Sequence, residues 1–190
     1  MPVKSLPDNY KLECCINFQE NLKLTVGLNI GGLLLLIPFI IGIFFLLPKD
    51  EGVVSFTIGF SPLILFCVGI FFVMLLHELV HGFFFKYYSR GKVKYGFKGF
   101  YAYAGCPDYY FRKNEYIIIS LAPFVILNIL MVLMLLFVKG SLFYGLYIIF
   151  AVHFVGCIGD LYVVIKLIKY KPETLIRDTG DKMELYLQTM

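Results

Sequence analysis

Residues 63–85 read LILFCVGIFFVMLLHELVHGFFF, and this stretch decides the architecture. It is long enough to cross a bilayer as one helix, which takes roughly 20 apolar residues. Its main polar interruption is a cluster at His77, Glu78 and His81. Ionisable groups inside a membrane helix are costly and usually functional.

Working outward, three further apolar runs have similar length, at about 24–47, 116–138 and 142–165. The run containing the cluster begins near Val53, and Pro62 is expected to break it before Leu63. Hydrophobic residues make up 59% of the 190-residue chain and charged residues 16%, with a mean hydropathy of +0.81. Soluble domains carry about 25% charged residues. The composition therefore excludes an ordinary soluble domain, a disordered chain and a disulfide-stapled secreted module. The first apolar run exceeds the roughly 7–15 residues of a signal core, so it is expected to remain as a helix.

The expected fold is an all-α membrane protein. One integral domain over 1–190 has four transmembrane helices and tails at 1–23 and 166–190. Between helices 2 and 3, the alternation from Lys92 to Lys98 predicts a short β-hairpin-like segment at the membrane surface. Fifteen of the 17 Lys and Arg residues fall on one side if both termini are cytoplasmic. Only Lys49 and Lys139 fall on the other. The net charge of +4 belongs to this flanking pattern and does not point to nucleic acid. The expected partners are the lipid bilayer and a peptide or membrane-protein substrate. Five cysteines, an odd number spread over helices and cytoplasmic segments, predict no disulfide framework.

His77-Glu78-Leu79-Val80-His81 is the sequence H-E-x-x-H. Spacing of four residues puts both imidazoles on one helical face, about 40° apart. Two neutral imidazoles can then share one Zn2+, with Glu78 beside it as general base toward water. Chance would place this pattern in such a composition only roughly 0.002 times. Polar cement between helices is the plainer reading of such a cluster.

A catalytic zinc takes a third protein ligand. Asp160, in Gly156-Cys157-Ile158-Gly159-Asp160, and His153 share one face of the last helix and both qualify. Depth favours Asp160. Measured from Lys86, His81 and His77 lie about 7.5 and 13.5 Å inside the membrane. Measured from Lys166, Asp160 lies about 9 Å inside and His153 about 20 Å. His153 is then a buried histidine supporting the ligands, or the alternative third ligand. Gly156 and Gly159 are expected to seat this helix closely against the second one. In the third helix, Pro123 cannot donate to the carbonyl of Ile119, which predicts a free carbonyl there. Asn128 is a buried amide that could support the site or hold a substrate oxyanion. A strand edge in the 92–111 segment could pair with an extended substrate.

HELVHG in one apolar helix, SLAPFVILN in the next and GCIGD in the last resemble the small membrane proteins named putative zincin peptidases. These are similar to intramembrane metalloproteases of the site-2 protease type. The resemblance covers about Tyr10 to Leu185. It implies a zinc metalloendopeptidase with His77, His81 and Asp160 on the metal and Glu78 as catalytic base. Two features depart from the site-2 pattern. Asn128 follows Pro123 by five residues rather than three, and Asp160 precedes Leu161 rather than glycine. Other readings of the same residues are a metal sensor or transporter, an inactive relative that binds membrane helices, and a haem site using His153.

Overall fold

The computed structural model describes residues 2–18, 20–46, 60–98, 101–180 and 182–189. In chain order the elements are β1 (Tyr10–Ile16), α1 (Leu22–Leu46), α2 (Phe60–Ser89), β2 (Lys94–Lys98) and β3 (Tyr101–Gly105). These are followed by β4 (Phe111–Arg112), α3 (Lys113–Phe137), α4 (Ser141–Gly156), α5 (Ile158–Ile168), β5 (Leu175–Asp178) and β6 (Met183–Gln188). Four helical stretches are long and apolar enough to cross a membrane: α1, residues 63–89 of α2, α3, and α4 with α5 together. Their large side chains point outward, with Phe45 76% and Phe137 83% exposed. Apolar surface this extensive marks an interaction face, for a membrane or for another protein.

Two helix expectations need correction. Pro62 lies within the first turn of α2 rather than ahead of it. A missing N–H costs nothing in that turn. The last apolar run is not one helix over 142–165; it is interrupted at Cys157, between α4 and α5. The turn around Lys49 lies outside the described residues.

The all-α expectation fails at the tails, which build a four-stranded antiparallel sheet of order β1-β6-β5-β4. Tyr10 pairs with Gln188 and Ile16 with Met183, so the two ends of the chain lie side by side. Met183, Leu185 and Tyr186 are buried and Glu184 is partly so, as suits a strand paired on both edges. Phe111, Ile176 and Leu185 from the sheet pack with Phe85 of α2, Ile119 of α3 and Leu167 of α5. Each such buried side chain contributes about 1.5–3 kcal/mol. The main core therefore sits where the sheet closes over one end of the helices. The Lys113 N–H donates to the Thr174 carbonyl at 2.9 Å, which fixes the start of α3 against the sheet.

In the segment between α2 and α3, β2 and β3 pair antiparallel, with Lys94 opposite Gly105. Residues 99–100 between them are outside the described set. The phenol of Tyr95 rests on Gly82, where a Cβ would collide with it. That glycine thus admits a side chain from β2 onto α2.

Candidate metal centre

His77 and His81 stand one turn apart on α2, with their Nε2 atoms 3.1 Å from each other. Asp160, in the first turn of α5, places Oδ2 3.1 Å from Nε2 of His77 and 3.5 Å from Nε2 of His81. Three donor atoms from two helices thus converge on one point. A tetrahedral ion with bonds of about 2.0–2.1 Å holds its ligand atoms about 3.3 Å apart. The observed spacings bracket that value.

The hydrogen bonds behind the ring nitrogens strengthen the fit. Nδ1 of His81 lies 2.9 Å from the Ile119 carbonyl. A carbonyl can only accept, so Nδ1 carries the proton and Nε2 keeps its lone pair. Pro123 has no N–H to offer Ile119, and the freed carbonyl is the one His81 uses. Nδ1 of His77 lies 3.2 Å from Nε2 of His153, whose Nδ1 lies 3.0 Å from Oδ1 of Asn128. The amide oxygen of Asn128 accepts from His153, and His153 accepts from His77. Nε2 of His77 is then also an acceptor. Two lone pairs 3.1 Å apart beside a carboxylate repel one another unless a proton or a metal ion lies among them. A divalent metal satisfies all three donors at once.

A second group shares His77. Sγ of Cys157 lies 3.8 Å from Nδ1 of His77 and 3.7 Å from Nε2 of His153. These three could hold an ion as well. Doing so would take the same Nδ1 that donates to His153.

Glu78 does not join either ligand group. Its carboxylate faces the backbone N–H of Ala104 in β3. His77, Glu78, His81 and Asp160 line one cavity of about 240 Å³, which Ala102, Tyr103 and Ala104 wall on one side. His153 and Asn128 do not line it. A Cβ at Gly156 or Gly159 would meet nothing within 4 Å. Rather than seating α5 against α2, these glycines leave space beside Asp160.

The sequence reading missed the corner that adjoins this wall. Asp178, at the end of β5, accepts hydrogen bonds from the Tyr116 hydroxyl and, at 2.7 Å, from the Gly180 N–H. Gly180 has φ +86, and the ring of Tyr103 lies where its Cβ would be. Burial pushes the Asp178 carboxyl up from its ordinary range. Asp178-Thr179-Gly180 is a turn signature that could have marked this corner. Nothing local ties it to a cluster 100 residues earlier.

Apolar helices with a His/His/Asp donor set and an adjacent glutamate define a membrane-type chain with a candidate metal-dependent hydrolytic site. The sequence model of the family described as "Putative zincin peptidase" matches residues 70–175, more than half of the chain, and the chain belongs to that family. No curated protein and no solved structure gives a significant match.

Proposed function

We propose that the protein is a zinc metallopeptidase of site-2 protease type, acting within or beside the membrane. The observation that carries this reading is the 3.1–3.5 Å triangle of His77 Nε2, His81 Nε2 and Asp160 Oδ2. His77, His81 and Asp160 hold the metal. Bound zinc supplies acidification of water and polarisation of a peptide carbonyl. The Glu78 carboxylate takes the proton from water and returns it to the leaving amine. His153 and Asn128 orient His77 from behind, and Ile119 orients His81. The β3 backbone along Ala102–Ala104 offers an edge beside the cavity to an extended peptide. A transmembrane substrate must first unwind, because its helix hides the peptide bonds in internal hydrogen bonds.

The two termini share one face in this reading, which the pairing of β1 with β6 supports. The distribution of Lys and Arg makes that face cytoplasmic. A metal-binding sensor or transporter has less support, since Glu78 faces the β3 backbone at Ala104 rather than a path through the bilayer.

The test is metal content and cleavage of an unstructured fluorogenic peptide by purified protein. Wild type should hold one zinc per chain and lose cleavage on chelation. Glu78→Gln should keep its zinc and lose about 10²–10⁴-fold in rate. Asp160→Ala should lose zinc while keeping its helical content. Full cleavage by Glu78→Gln would overturn the proposal.

A further inference from the structure

The end of α2 builds a second cleft, separate from the metal centre, of about 820 Å³. Lys4, Lys86, Arg90 and Lys92 line it against a single carboxylate, Asp108. None of the four cations forms an ion pair among the described residues. The cleft is built by backbone geometry, beyond what a charged helix end would supply. Arg90 has φ 54, a left-handed conformation that L side chains adopt at a steric cost glycine avoids. Its N–H donates to the Lys86 carbonyl at 2.8 Å, closing α2 and folding Lys92 back beside the helix. A Cβ at Gly91 would collide with the ring of Tyr109, which walls the cleft and carries Lys4 Nζ 5.7 Å above it.

The helix surface leading to the cleft is apolar. Phe83, Lys86, Tyr87 and Arg90 recur at the spacing of one helical face. Phe83 and Tyr87 are 63% and 67% exposed, with their rings stacked at 6.5 Å. One face thus runs from exposed aromatic rings into a basic pocket at the end of an apolar span. Arg and Lys together match a phosphate in shape and charge.

We propose that this cleft binds the phosphate headgroup of an anionic lipid, whose acyl chains lie along Phe83 and the apolar α2 surface beyond it. The proposal rests on the reading of α2 as a membrane span. The test is lipid retention by the purified full chain in native mass spectrometry, with phosphatidylglycerol against phosphatidylcholine. Each cation near a headgroup is worth about fivefold in occupancy. Wild type should retain phosphatidylglycerol at least about fivefold over phosphatidylcholine. Arg90→Gln/Lys92→Gln should lose that preference, and Lys139→Gln at the other membrane face should keep it. Equal retention by wild type, or a preference that the double variant keeps, overturns the proposal. Displacement of the lipid by millimolar inorganic phosphate overturns it in favour of a free-anion site. Release of the chain from membranes by alkaline carbonate would overturn it together with the span. A chain retained in membranes without lipid preference would overturn the lipid site alone.

Discussion

His81 donates through Nδ1 to the carbonyl of Ile119 at 2.9 Å, and that carbonyl is available because Pro123 sits one turn later. A missing backbone hydrogen bond in α3 therefore sets the tautomer of a candidate metal ligand on α2. Pro123→Ala restores a competing N–H at 123. Zinc affinity, measured by competition with a chelator, should fall by up to about tenfold, the lower end of the loss for disturbing a ligand's supporting hydrogen bond. Helical content should stay unchanged. Affinity equal to wild type would mean that the carbonyl serves both donors.

The chain Asn128–His153–His77 makes a sharper prediction. His153→Phe and Asn128→Leu should each lower zinc affinity by about 10–100-fold, because either change frees the His77 ring to turn or change tautomer. The double variant should be no worse than the more severe single one, since the two residues act in series. Additive losses would show that they act separately.

Much of this centre was legible in the sequence. The H-E-x-x-H spacing, the free Ile119 carbonyl and the matching depth of Asp160 all follow from helix geometry alone. The break at Cys157 was not legible, because glycine and cysteine in an apolar run read equally well as packing residues. The sheet was missed for a different reason. Met183-Glu184-Leu185-Tyr186 alternates visibly, but its partners Tyr10–Ile16 lie at the other end of the chain. Only the three-dimensional pairing reveals that the two segments form one layer. Asp178 reaches the cavity through that layer, so it was hidden along with it.

Asp178 should give the fold a pH signature. Its carboxyl is held above the ordinary value of 3.8, so the folded state binds the proton more tightly than the unfolded chain does. The associated stability is fully present below about 3.8 and is lost as pH rises through the raised folded value. Asp178→Asn keeps an acceptor for the Gly180 N–H and turns an amide donor toward the Tyr116 oxygen, without the charge. Its melting temperature relative to wild type should climb as pH rises from 4 toward neutrality. A difference that stays flat with pH would mean that the carboxyl pays no burial penalty.

Ile176 is fully buried between the sheet and the helix ends. Ile176→Ala should cost about 2–5 kcal/mol in unfolding experiments in detergent. Lys139→Gln, on an exposed loop, should stay within about 0.5 kcal/mol of wild type. A small loss at Ile176 would mean that the sheet is only loosely docked on the helices.

The place of β6 in the sheet has a temporal consequence. It is bonded on both edges, by β1 and β5, yet of the described strands it is the latest in chain order. Strand β1 cannot join the sheet until β6 follows it, because β6 is the strand it pairs with. His77, Glu78 and His81 leave the ribosome about 100 residues before the corner at Asp178 and Gly180 that completes their cavity. A nascent chain therefore carries the candidate metal ligands of α2 well before the Asp178–Gly180 corner that lines the same cavity.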